Sequence, residues 1–329
     1  MSKKSKVALC LFAGAVLAGS GCGNDSGGGV SPLSQNVIVP NSNSNAVTFY
    51  RAKAHGDTKP RKTIVGANTT LNSPQDIYVD RHGLIYVAND QISSPTPNSN
   101  GSIAVFAGSS SADATPIHSI VGDDTRLLNP EGVTVDASGQ IYVANAGGNT
   151  ISVYPAGSDG DVEPIFLING PATGLKMPED VTLDRAGDIF VANTAGDSIT
   201  EYPPGATGNQ AFITRIQGPS TGLKAPDDLS FDGFGNLYVA NFDGDSITVY
   251  PPNSNGDVTP TLLISGPATG IDGPGGLAFD RNGNLIVASS LNNSLLTFAR
   301  GASGNLAPTS SLAGSATGLD VPFGIDLSL

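Results

Sequence analysis

Acidic and amide side chains recur in this sequence at one position, directly after a proline. Four consecutive copies of the position carry an oxygen ligand, and they are Gln75, Glu131, Glu179 and Asp227. The last two copies carry Gly275 and Phe323, which offer none. Aspartate follows in three copies, as Asp76, Asp180 and Asp228. A position needed only for structure has little reason to vary in this one-sided way, so these residues are candidates for a binding site.

Carboxylates gathered around one opening repel each other, so they either bind a cation or have raised pKa values. The candidate set offers oxygen ligands without His or Cys, which is typical of a hard ion such as Ca²⁺. A solvated acidic rim without a bound ion is the alternative. Either outcome requires that the fold bring the side chains together.

The prolines mark an internal repeat. They are Pro74, Pro130, Pro178, Pro226, Pro274 and Pro322, at steps of 48 residues with one step of 56. A unit of this length cannot bury its own apolar face, so it must stack on its neighbours. In the unit that begins at Pro178, apolar and polar residues alternate in short runs at 181–183, 188–193, 198–202 and 211–216. Four such strands per unit predict a propeller blade.

The two ends of the chain predict how the blades close into a ring. Asn41 and Tyr50 have the same spacing of nine residues as Asn145 and Tyr154, so the chain opens at the second strand of a unit. It finishes at 321–329 with a first strand only. Joining three N-terminal strands to this C-terminal strand makes a composite blade and removes the open sheet edges. We therefore predict an all-β fold, a six-bladed β-propeller of four-stranded antiparallel blades, over residues 37–329.

The repeated phrase P-x-[GD]-[VLI]-x-[VLF]-D-x-x-G-x-[IL]-[YFI]-V-A-N resembles the NHL repeat, and the resemblance covers residues 37–329. It implies the same propeller fold. It does not imply one activity, because the NHL family includes ligand-binding and interaction modules as well as lyases. The asparagines that end the phrase are Asn89, Asn145, Asn193 and Asn241. We expect them to shape the following turn or, alternatively, to line the central opening.

Loops on one face of a propeller surround its central opening. The candidate residues fall on that face, and so do the eight extra residues of the first whole unit, between Asn89 and Ile103, which are predicted to form a polar flap. The position after the proline also resembles the metal-ligand position of the gluconolactonase and regucalcin family, six-bladed propellers that hold one Ca²⁺. That resemblance implies Glu131, Glu179 and Asp227 as metal ligands, with Gln75 or an asparagine assisting.

The N-terminus predicts export. A basic start is followed by an apolar run at 7–18 that is too short to span a bilayer, and Cys22 ends a segment that resembles the lipobox of bacterial lipoproteins. We predict a signal peptide at 1–21, lipid attachment at Cys22 and a flexible tether at 22–36. An ordinary secretory peptide is the alternative. The predicted location is across the inner membrane, lipid-anchored in the periplasm or at the cell surface.

Composition and histidine placement exclude several activities. The net charge of −13 argues against binding nucleic acid or an anionic membrane surface. His55, His82 and His118 are the only histidines and fall in predicted turns or outer strands, which leaves none for lyase or hydrolase chemistry in the central opening.

Two interpretations follow. The leading one is a monomeric, non-catalytic module that touches the membrane only through its lipid and binds a protein or a glycan at the cell envelope. The alternative is a Ca²⁺-dependent hydrolase of lactones or similar esters, in which the metal polarises a carbonyl and a rim carboxylate acts as base.

Overall fold

The alternation of apolar and polar residues gives 24 strands in the computed structural model, which describes residues 35–90 and 100–328. In chain order the first eight are β1 (Asn36–Asn41), β2 (Ala46–Arg51), β3 (Lys62–Val65), β4 (Pro74–Val79), β5 (Ile85–Asn89), β6 (Ser102–Phe106), β7 (His118–Ile120) and β8 (Pro130–Val135). The next eight are β9 (Ile141–Asn145), β10 (Thr150–Tyr154), β11 (Phe166–Ile168), β12 (Pro178–Leu183), β13 (Ile189–Asn193), β14 (Ser198–Tyr202), β15 (Thr214–Gln217) and β16 (Pro226–Phe231). The last eight are β17 (Leu237–Asn241), β18 (Ser246–Tyr250), β19 (Leu262–Ser265), β20 (Pro274–Phe279), β21 (Leu285–Ser289), β22 (Ser294–Phe298), β23 (Ser310–Ala313) and β24 (Asp326–Leu327).

Helix is limited in the described residues to four 3-10 turns of three residues, Ala67–Thr69, Asp123–Thr125, Thr194–Gly196 and Phe242–Gly244. None of these described helices has the length and apolarity needed to cross a membrane. The predicted signal peptide, Cys22, the tether up to residue 34 and the flap residues 91–99 lie outside the described residues.

The strands form six antiparallel sheets of four, which we number as blades in chain order. Blade 1 has the order β24-β1-β2-β3, and blades 2 to 6 contain β4–β7, β8–β11, β12–β15, β16–β19 and β20–β23. The predicted all-β, six-bladed propeller is confirmed, including the composite blade of three N-terminal strands and one C-terminal strand.

Direct pairing of the two chain ends closes the ring. Val37 pairs with Leu327 and Ile38 with Asp326, both antiparallel. The side chain of Asn41 continues this join, since its carbonyl oxygen accepts a hydrogen bond from the backbone N–H of Asp320 at 3.0 Å. β1 begins at Asn36, one residue earlier than the sequence predicts.

The apolar residues are buried between blades, not inside them. Six clusters of buried side chains lie in the six gaps between neighbouring blades. The cluster that joins blade 6 to blade 1 includes Tyr50, Ile286, Leu295 and Leu327. Because a fully buried side chain of this size contributes about 1.5–3 kcal/mol, each blade depends on both neighbours for its stability.

One threonine in each inter-blade connection and one aspartate at the head of each first turn hold the backbone of the blades. The hydroxyl of Thr173 donates to the carbonyl of Gly170 at 2.7 Å and accepts from the N–H of Leu175 at 3.3 Å, which places Leu175 in the core between blades. Asp184 accepts hydrogen bonds from the backbone N–H groups of Ala186 and Asp188 and so holds its turn. Equivalent bonds occur in the other blades.

Deleting residues 322–329 tests the closure. The deletion leaves one edge of β1 unpaired and removes the buried side chains of Ile325 and Leu327. We expect the thermal midpoint to fall by more than about 10 °C, because each kcal/mol lost shifts it by about 2–4 °C in a chain of this size. Circular dichroism would measure the transition.

The matched control is Ser328→Ala, which keeps β24 and removes only the hydroxyl that accepts from the N–H of Asn36 at 2.9 Å. Equal melting of the truncated and intact chains would show that the ring does not depend on this join.

Candidate functional site

The start of each inner strand places the predicted site residues at one end of the central opening. Five inner strands begin at the repeated proline, so the next side chain of each reaches the same end of the propeller. A central cavity of about 350 Å³ lies there, and its lining includes Gln75, Glu131, Glu179 and Asp227. The structure therefore brings together all four residues predicted as metal ligands.

Asp76, Asp180 and Asp228 form the floor of the central cavity. They also line a smaller cavity of about 130 Å³ further along the axis, so they separate the two spaces. Each carboxylate accepts a hydrogen bond from a backbone N–H of the next blade, namely from Val133 at 2.8 Å, from Leu229 at 3.0 Å and from Leu277. These aspartates therefore link blades as well as line the site.

Close packing at the axis explains why glycine replaces aspartate in other copies. A Cβ atom on Gly324 would lie 2.3 Å from the Oδ1 of Asp76, and one on Gly132 would lie 2.6 Å from the carbonyl oxygen of Glu179. Contacts this short exclude any larger residue. At these two copies the variation seen in the sequence has a steric cause.

Phe323, one of the two copies without an oxygen ligand, forms an aromatic wall with Phe242 of blade 5. The ring of Phe323 stacks on that of Phe242, with centroids 6.0 Å apart and an interplanar angle of 11°. Both rings line the cavity. Gly275 makes room for them, since a Cβ there would lie 2.8 Å from the Cδ1 of Phe323.

Sequence reasoning missed several residues of this site, among them Phe242, Asp90 and Asp243. Phe242 follows the asparagine of its blade and is the only aromatic residue at that position of the repeat, where the other copies are Ser42, Asp90, Ala146, Thr194 and Ser290. Asp90 follows Asn89 in the same way and is almost fully buried beside the cavity, where it accepts a hydrogen bond from the side chain of Asn129 at 2.6 Å. Only this copy of the position is acidic, a signal the sequence did contain.

Burial and mutual repulsion raise the pKa values of the cavity carboxyls. Burial raises the pKa of Glu179 to about 7, with the charge of Asp90 as a second cause. Burial also raises the pKa of Asp180 to about 7. For Glu131 and Asp227 burial, followed by the charge of Glu179, raises the pKa well above its usual range.

The central cavity is acidic throughout. Its lining contains eight carboxyl groups, those of Asp76, Asp90, Glu131, Glu179, Asp180, Asp227, Asp228 and Asp243. No Lys, Arg or His is among the described residues that line it. Low-dielectric walls strengthen the field of these groups, so the cavity attracts positive charge.

The carboxyl groups are not arranged as a metal site. Among the described residues, no group of three or more His, Cys, Asp or Glu side chains could hold a metal ion. Glu131, Glu179 and Asp227 line one cavity without forming such a group. The Ca²⁺ site implied by the gluconolactonase and regucalcin resemblance therefore stays a prediction.

The four asparagines predicted for the rim lie elsewhere. Asn89, Asn145, Asn193 and Asn241 are fully buried and do not line the cavity. The amide of Asn193 donates to the Thr200 hydroxyl at 3.0 Å, and its oxygen accepts from the N–H of Lys176 at 3.1 Å. The other three make equivalent bonds. This corrects the prediction of a ligand-binding role and supports the alternative in which they hold the next turn.

Comparisons with known proteins agree with the fold. The NHL repeat model matches residues 127–154, which include β8, β9 and β10. No curated protein matches the sequence.

Solved structures give the same result. The chain is similar to the periplasmic gluconolactonase of Pseudomonas aeruginosa, with a TM-score of 0.62 and 14% identity over 90% of this chain and 99% of that one. A chain of a nidogen/laminin complex gives a TM-score of 0.62 and 13% identity over 90% and 98%. A protein of unknown function from Bacteroides caccae gives 0.64 and 12% over 89% and 98%. At these identities the likeness shows the fold alone.

The raised pKa values predict how stability depends on pH. The ordinary pKa of a Glu is 4.5, so between pH 4.5 and about 7 the folded protein keeps a proton on Glu179 that the unfolded chain has released. The resulting stabilisation is present in full below the lower value and is lost as the pH rises through the upper one. We expect the thermal midpoint to fall from about pH 5 to about pH 8, and Glu179→Gln to remove about 1–3 kcal/mol of that dependence.

Calorimetric scans at several pH values would measure the effect. Glu163→Gln is the control, because Glu163 is exposed and far less desolvated, with 70% of its side chain accessible. A midpoint that rises over the same interval would contradict the assignment.

Proposed function

We propose that this protein is a non-catalytic binding module whose central cavity receives a positively charged group of a partner protein. The observation that supports it is the eight carboxyl groups in the cavity, without a basic side chain among the described lining residues. A bound cation would offset the repulsion that raises the pKa values of Glu131 and Asp227. It would also allow these groups to ionise near neutral pH.

The distribution of the carboxyls favours an organic cation. Among the described residues they form no group of three or more that could hold a metal ion, although they line one cavity. An ammonium or guanidinium group carries several N–H donors that can reach separate carboxylates. Glu131, Glu179 and Asp227 accept no hydrogen bond from another described residue and are free to receive those donors.

The aromatic wall supports the same class of ligand. Phe242 and Phe323 line the same cavity as the carboxyls, and Asp243 follows Phe242 in its lining. A cation over an aromatic face gains about 0.5–2 kcal/mol, and this attraction is available to an alkylammonium or guanidinium group. A Lys or Arg side chain of a partner protein would contact the aromatic rings and donate hydrogen bonds to the carboxyls at the same time.

A Ca²⁺-dependent hydrolase of lactones or esters is the second candidate. The observation that favours it is Glu179, whose pKa of about 7 suits a general acid or base near neutral pH. The fold of the Pseudomonas aeruginosa gluconolactonase is compatible with it. It would require Glu131, Glu179, Asp227 and Gln75 to move together around the ion.

The proposal places the module at a bacterial cell envelope. The leader at 1–21 would direct export, and a lipid on Cys22 with the tether that follows would hold the propeller at the membrane as a monomer. A glycan, the other predicted partner, would bind at a different surface of the protein.

A tetralysine peptide tests the central cavity. We expect the peptide to bind, and we expect the triple variant Glu131→Gln, Glu179→Gln, Asp227→Asn to bind it at least about tenfold more weakly, because the charged partners are lost. Fluorescence anisotropy with labelled peptide measures the affinity. Glu163→Gln is the control for a surface charge change, and a fully Nε-acetylated peptide is the control for ligand charge.

The same proteins separate the two candidate functions. A Ca²⁺-dependent rise of the thermal midpoint together with hydrolysis of δ-gluconolactone, and no peptide binding, would replace the binding module by the hydrolase. Peptide binding that the triple variant leaves unchanged would move the interaction away from the cavity.

Phe323→Ala tests the aromatic wall. We expect affinity for tetralysine to fall by about threefold to thirtyfold, the equivalent of about 0.5–2 kcal/mol. Phe234→Ala is the control, because that ring is exposed and lies against Arg300 instead. An unchanged affinity in Phe323→Ala would show that the carboxyls alone bind the cation.

A further inference from the structure

A second cavity lies between blades 2 and 3, away from the central one. It has a volume of about 450 Å³, and the turn at 80–84 lines it together with Tyr78, Tyr86 and His118. That turn joins the far ends of β4 and β5, so this inter-blade cleft opens at the end of the propeller opposite to the central cavity. Its size falls in the range of about 300–1,000 Å³ that is usual for small-molecule sites.

His118 has a buried ring nitrogen without a hydrogen-bond partner. Its Nδ1 is shielded from solvent and bonds to no other atom of the described residues. His118 pairs across the sheet with Val105, whose apolar side chain offers no partner. A buried polar atom left unpaired lowers stability, so such atoms are rare unless something else satisfies them.

The same position is satisfied in other clefts. In blade 4 Thr214 stands opposite Glu201, and its hydroxyl donates to that carboxylate at 2.5 Å. In blade 1 the ammonium group of Lys62 donates to the carbonyl of Gly108 at 2.7 Å. The missing partner is therefore a local departure from the repeat and not a property of the fold.

Asp80 supplies a second unpaired group in the inter-blade cleft. The residue is only 8% exposed. Its Oδ1 accepts from the N–H groups of His82 and Leu84 to hold the turn, whereas its Oδ2 accepts from no described residue.

Two other blades satisfy the equivalent oxygen with an asparagine. In blade 5 the amide of Asn236 donates to the Oδ2 of Asp232 at 2.8 Å, and in blade 6 Asn284 donates to that of Asp280 at 2.9 Å. Leu84 occupies this position in blade 2 and has no side-chain donor, so the Oδ2 of Asp80, a residue that lines the cleft, lacks this partner.

Two tyrosines add hydrogen-bond donors. Burial raises the pKa of Tyr78 to about 12 and also raises the pKa of Tyr86, so both hydroxyls stay protonated. Neither hydroxyl bonds to another described residue. The inter-blade cleft thus combines free donors, a free carboxylate oxygen and an imidazole nitrogen with apolar walls that include Leu84 and Val135.

We propose that the inter-blade cleft binds a neutral sugar ring. Each hydroxyl of a sugar both donates and accepts, so neighbouring hydroxyls can accept from Tyr78 and Tyr86 and donate to Asp80. The C–H groups of the ring would lie against Leu84 and Val135. Water alone fits less well, because it leaves the apolar side chains of Leu84 and Val135 without a contact. This site is independent of the proposed role of the central cavity.

The probes are four neutral methyl glycosides, those of glucose, galactose, mannose and N-acetylglucosamine. We expect at least one to give saturation-transfer signals with the intact protein. Tyr78→Phe should weaken its binding by roughly tenfold, as expected for the loss of one buried hydrogen bond. Titration calorimetry or chemical-shift titration gives the affinities.

Leu84→Asn separates an effect on binding from an effect on stability. It gives Asp80 the partner that blades 5 and 6 already have, so the thermal midpoint should rise while glycoside affinity falls by roughly tenfold or more. Loss of binding could then not be attributed to unfolding. Thr214→Val in the cleft between blades 4 and 5 is the matched control and should leave binding unchanged.

Two results would overturn the proposal. The first is the absence of signal for all four glycosides, which would leave only water in the cleft. The second is glycoside binding that neither Tyr78→Phe nor Leu84→Asn alters, which would place the sugar elsewhere on the protein.

Discussion

Burial between blades is the constraint on which the rest of this structure depends. A four-stranded blade of this size has apolar side chains on both faces and can cover them only with its two neighbours. The last gap is closed because β24 pairs with β1, so that blade 6 packs on a blade that contains both ends of the chain. Closure fixes the six inner strands around one axis. The central cavity and its carboxyls are consequences of that arrangement.

Crowding at the axis makes structure and binding compete for the same positions. Asp76, Asp180 and Asp228 connect successive blades through backbone N–H groups, yet burial raises the pKa values of all three, and the charge of Asp180 raises those of Asp76 and Asp228 further. Selection for stability alone would favour small or apolar residues at these positions. Gly132 and Gly324 are such residues, and they pack against Glu179 and Asp76. Retaining unfavourable charge at such a site is typical of a functional region, where stability is given up for activity or binding.

Comparison among the blades identifies the residues that departed from the shared scaffold. Most polar groups have the same partner in every copy, as the threonines of the inter-blade connections do. His118 and Asp80 lack partners that some of their counterparts have, since Val105 stands where blade 4 carries Glu201 and Leu84 stands where blade 5 carries Asn236. Both departures occur in one cleft. The central cavity differs among the blades in another way, because blades 2 to 5 contribute its carboxyls, whereas its aromatic pair comes from blade 5 and the composite blade 1.

The sequence by itself determined the strands, the number of blades, the composite closure and the gathering of Gln75, Glu131, Glu179 and Asp227 at one end of the axis. These features follow from periodicity and from a repeat whose copies must occupy equivalent places. Only the tertiary structure decided which polar side chains are already satisfied. It paired the asparagines such as Asn193 with backbone, added Asp90 and Phe242 to the cavity, and left His118 without a partner. The reason is physical: the groups that satisfy or crowd a side chain come from other strands and blades, at distances along the chain that no local pattern records.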